Sequence, residues 1–297
     1  MLFCTILLLL SCSSESVTEA FMGTGLVGTH EIVHKPLTFI EIDPANIAFS
    51  KVDGFKQPAS SGIQSATLID NTIYVFRADA SCLLIDNDDF SKNEAVDLQV
   101  NSIYAHANCV QHYASATDTL FYMAGLLRKP NLYVYRKEGT GIKFVSEVNF
   151  ANDYNPQGIA VEGKNLRMYT LAYDKNSSTD TTENCLHLSR YAVADTICSL
   201  AQQDTTIYDL PFLPAIQDCM IENDLVMACY GLTSTDKGII AFAPKRERLY
   251  HLLLNRFTAE EPEGLYVKDS SIYIMTQSGN LYKIDQLFNE ISNSSNE

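Results

Sequence analysis

Short alternating runs of apolar and polar residues fill most of the chain, and long 3.6-residue periodicity is nearly absent. "NTIYVFRA" (71–78), "TLFYMAG" (119–125), "NLYVYRK" (131–137), "GIIAFAP" (238–244), "SIYIMTQ" (271–277) and "NLYKID" (280–285) are the clearest runs. Successive side chains on a strand point to opposite faces, so such runs predict many short antiparallel strands. Tyr, Ile, Val and Phe, which suit a pleated and half-buried surface, fill the runs. Asn, Asp, Gly and Ser, the turn formers, separate them.

A longer period lies over the alternation. "IQSATLIDNTIYVF", "HANCVQHYASATDTLFYMAG", "PQGIAVEGKNLRMYTLA", "IQDCMIENDLVMACYG" and "PEGLYVKDSSIYIMT" align with one another. Each opens on a polar residue (Gln64, Asn108, Gln157, Gln217 or Glu263), runs through an apolar strand, turns at Asp, Asn, Gly or Ser, and enters a second strand. The intervals between the opening residues are 44, 49, 60 and 46 residues. The longest contains "DKNSSTDTTENC", a polar insertion of the kind that forms a surface loop. Units of this length with about four strands each are the mark of β-propeller blades. In the second unit the strands are expected near Asn108–Tyr113, Leu120–Ala124, Leu132–Arg136 and Phe144–Phe150.

The expected fold is therefore all-β, a β-propeller of five blades. The last unit has three strands and no outer one. "IAFSKVDGF" (47–55) looks like an outer strand without partners, and is expected to complete the final blade and close the ring. Six blades is the alternative, if "LTFIEI" (37–42) pairs with 47–55 to make a degenerate extra blade. The segments expected are a signal peptide (1–11), a lipid-attached tether and N-terminal segment (12–36), the propeller (37–285) and a polar tail (286–297).

In this arrangement the opening residues ring one mouth of the central channel. Gln64, Asn108, Gln157, Gln217 and Glu263 make an amide-rich ring with one carboxylate. Pro262 suits a strand's first residue because it has no N–H to contribute. Gly264 and Gly158, one step further on, let backbones approach closely near the axis. Neighbouring loops add His106, Asn155, Asp218, Glu260 and Glu261. Loops overhanging the same face bring Arg77, Asp79, Arg128, Lys129, Tyr173, Asp174 and Tyr230. The ligand-binding residues expected are Gln64, His106, Asn108, Gln157, Gln217, Glu263, Arg77, Arg128, Tyr173 and Tyr230.

Glycoside hydrolysis needs two carboxylates facing one bond. Only Glu263 occupies an inner slot with certainty. Asp218 is one residue out of register and is expected to point to the opposite face, and Glu260 or Glu261 could supply a second acid from a loop. A lyase or esterase would need a base such as His106 or His112. No Walker loop, dinucleotide fingerprint, G-x-S-x-G or H-E-x-x-H occurs. "DNDDF" (86–90) lacks the glycine and distal glutamate of an EF-hand and reads as a turn. No cofactor is expected, although Glu263 with amide oxygens could hold a calcium ion weakly.

Composition and charge narrow the partners. The 297 residues are 46% hydrophobic with a formal net charge of −15. That excess of acid argues against phosphate-backbone binding, which needs a basic surface, so no nucleic-acid partner is expected. The apolar stretch in "MLFCTILLLLSC" is too short for a membrane span of roughly 20 residues. "LLSC" (9–12) resembles the lipobox of bacterial lipoproteins, which implies lipidation at Cys12 and membrane attachment by that anchor alone. No Lys or Arg precedes the stretch, a departure from the pattern. None of the eight cysteines forms a C-x-x-C pair, and those beyond Cys12 are expected to be small buried hydrophobes.

"NPQGIAV", "EEPEGLYV" and the "DNTIYVF" and "DSSIYIM" turns resemble the TolB-like and NHL-like propeller lipoproteins of Bacteroidetes, over roughly residues 45–285. Those families have six blades as a rule. The resemblance implies a cell-envelope protein outside the cytoplasm, on the periplasmic or surface side of the outer membrane, with a binding or scaffold role. The expected function is binding of a glycan or peptide over the channel mouth. A carbohydrate-active hydrolase or lyase using Glu263, and a scaffold with an envelope protein partner, are the alternatives.

Overall fold

A computed structural model of the chain describes residues 31–57, 62–79, 81–98, 109–115, 117–124, 131–139, 141–149, 158–162, 167–172, 185–193, 200–210, 212, 215–232 and 234–294. The N-terminal segment supplies three short strands, β1 (Glu31–Lys35), β2 (Thr38–Glu41) and β3 (Ala48–Lys51). Four hairpin-connected strands follow, β4 (Ile63–Ile69), β5 (Thr72–Arg77), β6 (Ser81–Asp86) and β7 (Asn93–Asp97). The next set is β8 (Val110–Ala114), β9 (Thr119–Ala124), β10 (Asn131–Glu138) and β11 (Gly141–Asn149). Then come β12 (Gly158–Glu162), β13 (Arg167–Ala172), β14 (Cys185–Val193) and β15 (Leu200–Asp209). After these are β16 (Ile216–Glu222), β17 (Leu225–Tyr230), β18 (Gly238–Ala243) and β19 (Arg248–Leu253). The chain ends in β20 (Pro262–Lys268), β21 (Ser271–Thr276), β22 (Leu281–Asp285) and a helix, α1 (Leu287–Ser294).

The strands form five antiparallel meanders, and the architecture is an all-β propeller. Two of the sheets gain a fifth strand from the N-terminal segment. β1 lies parallel to β15, and β2 parallel to β19. β3 pairs antiparallel with β22 and is the fourth strand of the sheet that β20 begins. The six-blade alternative is thereby corrected: "LTFIEI" does not pair with 47–55 but joins a sheet built from another part of the chain. β1 also lies inside the segment expected to be a tether, so the folded part begins earlier than residue 37. The polar tail is corrected too. Leu287 and Ile291 of α1 are buried and pack with Ile272 and Ile284.

The innermost strands β4, β8, β12, β16 and β20 face one another around the axis. β4, β16 and β20 are buried through their first five residues, because both faces pack between neighbouring sheets. The hairpin turns use the residues that tolerate the left-handed region. Asn223 and Asp224 have φ of 51° and 63°, and Asp269 and Ser270 have 50° and 61°. Two consecutive left-handed residues match the twist of a tight hairpin, which is why "END" and "KDS" stand where they do. Close approach at the axis explains two glycines. A Cβ on Gly264 would stand 2.8 Å from Ala66 Cβ and 3.0 Å from its backbone nitrogen, and one on Gly158 would stand 2.8 Å from Cys219 Cβ.

Candidate functional site

Three of the five expected ring positions are described, and all three are β-bulges. The pairing register slips between Ile63 and Ser65, between Ile216 and Asp218, and between Pro262 and Gly264. Gln64, Gln217 and Glu263 are thus the extra residues, at equivalent places where their strands begin. A bulge redirects a side chain that strict alternation would send elsewhere. We call the end of the ring where the inner strands begin the leading mouth.

Glu263 is only 2% exposed. Its carboxyl is pushed up to about 9, first by burial and then by the nearby charges of Glu261 and Asp218. At neutral pH it is therefore a neutral acid, able both to donate and to accept. Its Oε2 atom and the Oε1 atom of Gln64 are buried and have no hydrogen-bond partner among the described residues. Gln64 Nε2 donates to the carbonyl of Ile63 at 3.0 Å. Gln217 Nε2 donates to the Gly231 carbonyl at 3.0 Å and to Glu261 Oε1 at 2.9 Å. Glu260, by contrast, is a turn anchor: it accepts from Thr276 Oγ1 at 2.5 Å and from Asn280 Nδ2 at 2.7 Å. Of the carboxylates in "EEPEG", Glu261 and Glu263 belong to the mouth and Glu260 does not.

Below the mouth the axis is packed solid. Asp218 does not point to the opposite face, as its register predicted. The bulge at Gln217 turns it to the centre, where it is 0% exposed. Oδ1 accepts from Ser65 Oγ at 3.0 Å and from the Cys219 N–H at 2.9 Å. Oδ2 accepts from the Leu265 N–H at 2.9 Å and from the Ala66 N–H at 3.2 Å. One carboxylate thus ties β16 to β20 and, across the axis, to β4. Burial pushes its pKa up to about 7 against the opposing pull of the Leu265 and Ala66 N–H groups, the Cys109 thiol and the Cys219 N–H. Ser65 Oγ also accepts from the Val110 N–H at 2.9 Å, and Cys109 Sγ accepts from the Ile159 N–H at 3.2 Å. Cys82, Cys109, Cys219 and Cys229 are buried free thiols, as expected of small core residues.

At the other end of the axis the inner strands open into a second recess of about 320 Å³, the trailing mouth. Thr67, His112 and Glu222 are among its lining residues. Thr67 Oγ1 lies 2.7 Å from His112 Nδ1. Burial lowers the imidazole to about 4 and raises the Glu222 carboxyl above its ordinary value.

Arg77 and Tyr230 end the second strands of their sheets at the leading face. Arg77 approaches Asp79 at 3.7 Å. Tyr230 is not an exposed stacking surface: it is 3% exposed, and its hydroxyl lies 2.7 Å from His251 Nε2. The other ring nitrogen of His251 lies 3.0 Å from Glu41 Oε1, which joins β17 through β19 to β2. This Tyr–His–Glu chain has no sequence signal, because its members are separated by 21 and 210 residues. His106, Asn108, Arg128, Gln157 and Tyr173 lie outside the described residues, as does Cys12. Among the described residues no group of three or more His, Cys, Asp or Glu could hold a metal ion. Among the described residues no helix is long and apolar enough to cross a membrane.

No family model and no curated protein matches the chain. Solved structures do. Glutaminyl cyclase of Myxococcus xanthus superposes with a TM-score of 0.54 at 9% identity, covering 84% of this chain and 97% of that one. Virginiamycin B lyase of Staphylococcus aureus reaches 0.42 at 11% identity, covering 80% and 99%. The Neurospora crassa Pan2 WD40 domain reaches 0.39 at 8% identity, covering 82% and 97%. The class this defines is the β-propeller, and at such identities the likeness is one of fold alone. Fold likeness does not carry function, which must be argued from the site.

Proposed function

We propose that the protein binds an uncharged glycan or peptide segment over the leading mouth. The observation that carries this is the pair of unpartnered buried oxygens, Gln64 Oε1 and Glu263 Oε2, at equivalent bulges on one mouth. An unpaired buried polar atom costs roughly 1–3 kcal/mol, which a ligand donor would recover. The neutral Glu263 carboxyl offers a proton to a hydroxyl or carbonyl without demanding a charged partner. By sequence position His106, Asn108, Gln157, Arg128 and Tyr173 extend the same rim.

The test is a thermal-shift series with oligosaccharides, peptidoglycan fragments and short peptides, since a ligand of the native state raises Tm by mass action. A shift is expected that is lost in Gln64→Ala and Glu263→Ala and kept in Glu263→Gln, which preserves both hydrogen-bonding roles. A shift that survives both alanine variants would move the site elsewhere. Failure of every ligand would leave the scaffold reading, with an envelope protein partner. One observation favours a second reading, a hydrolase: a carboxyl held protonated at neutral pH is what a general acid requires. Turnover abolished in Glu263→Gln while binding persists would select it.

We further propose that the five sheets act as blades of one closed ring, with β3 as the clasp. The pairing of β3 with β22, from opposite ends of the chain, supports this. The lipobox-like "LLSC" supports attachment outside the cytoplasm through a lipid on Cys12. In the host membrane the intact chain is expected in the detergent phase and Cys12→Ser in the aqueous phase. Equal partitioning of the two would remove the anchor.

A further inference from the structure

The trailing mouth is separated from the leading one by the buried layer of Ser65, Cys109 and Asp218, so a molecule in one does not reach the other. Its volume of about 320 Å³ lies at the lower end of small-ligand pockets, which run from roughly 300 Å³. Strands from all five sheets contribute to it, so its shape is held by the whole ring. We propose that this recess is a second binding site, for a small organic cation that carries an ammonium group on an aromatic or aliphatic body.

The chemistry of the lining selects that class. Thr67, Gln111, His112, Tyr113, Tyr266 and Glu222 are its polar members, and the rest are aliphatic, Ala or Met. Among the described lining residues Glu222 is the charged member, and no lysine or arginine accompanies it. A partly buried carboxylate without a counter-ion is poorly solvated, and an incoming ammonium supplies both charge and donors. His112 is neutral at physiological pH and adds no opposing charge. Asp70 acts on His112 from nearby with the same sign as Glu222. The Tyr266 hydroxyl is buried without a hydrogen-bond partner among the described residues. Tyrosine rings attract cations through their faces, and Tyr113 lines the recess, whereas the Tyr266 ring is stacked on Tyr273 with centroids 5.0 Å apart. An anionic ligand would meet Glu222, Asp70 and a net charge of −15, with no compensating cation among the described lining residues.

Calorimetry on the intact chain with tyramine and 4-hydroxyphenylacetate tests this, because the two probes share a phenol and differ in the sign of the end group. Tyramine is expected to bind at least about tenfold more tightly, the effect of one charge-assisted hydrogen bond. Glu222→Gln is expected to weaken tyramine by about tenfold and to leave the carboxylate probe no weaker. Asp53→Asn removes an equal charge from the exposed surface and is expected to change neither. The proposal is overturned if tyramine gives no saturable heat at about 10 mM, a limit near a Kd of the weakest useful sites. It is also overturned if the two probes bind alike, or if Glu222→Gln behaves as Asp53→Asn does.

Discussion

Asp218→Ala is expected to lose about 3–5 kcal/mol of stability, because it strands several buried donors at roughly 1–3 kcal/mol each. That is a large share of the 5–15 kcal/mol typical of a folded domain. The reason is the geometry at the axis. Four donors, the Ser65 hydroxyl and the backbone N–H groups of Ala66, Cys219 and Leu265, converge on two oxygens. Truncation leaves three backbone donors buried with no acceptor, and in this packed layer water has no ready path to replace the carboxylate. Asp218→Asn keeps the shape but turns an NH₂ group toward two N–H donors, so it is expected to fall between the wild type and alanine. Urea unfolding, with the m-value checked for two-state behaviour, measures both. A loss under about 1 kcal/mol for alanine, no more than an ordinary neutral hydrogen bond, would sink the account of Asp218 as the tie between β4, β16 and β20.

Asp218 also marks where sequence reading stops. The repeated unit was legible because each blade states it locally: a polar opening residue, an apolar run, an Asp, Asn or Ser turn, a second run. The strands of the second unit lie where the alternation places them, and β3 pairs with the last sheet as the unmatched run at 47–55 implied. The equivalence of Gln64, Gln217 and Glu263 was legible for the same reason. Their bulges were not, because a bulge is a property of pairing between two strands, and one extra residue breaks the parity rule that sent Asp218 to the wrong face. β1 escaped for a different reason, and so did the partner of β2, whose run at 37–42 was itself legible as a strand. A strand of five residues carries little periodicity, and the parallel partners of β1 and β2 lie about 170 and 210 residues away. α1 escaped because its apolar residues, Leu287, Phe288 and Ile291, stand among Asn, Ser and Glu in a helix of only eight residues. The trailing mouth was invisible because it exists only where all five inner strands meet.

Glu263 gives the second large effect, and its sign follows from linkage. The carboxyl has an ordinary value of 4.5 and is raised to about 9 in the fold, first by burial, then by Glu261 and Asp218. Between those values the folded chain holds a proton that the unfolded chain has released. Folding then takes up a proton, so stability is full below the unfolded value and falls as pH rises through the window. The slope approaches about 1.4 kcal/mol per pH unit where the two states differ by a whole proton. Asp218 contributes a fall of the same sign that ends near 7, the value to which burial raises it, so the decline between 7 and about 9 belongs to Glu263. Glu263→Gln replaces the protonated acid by a neutral isostere. At pH 5 the variant and the wild type are expected to unfold at similar urea concentrations, and at pH 9 the variant is expected to be the more stable. Parallel curves from pH 7 to 9 would mean that Glu263 ionises without penalty. The leading mouth would then carry a charge at neutral pH, and an uncharged ligand would lose its rationale along with the general acid of the hydrolase reading.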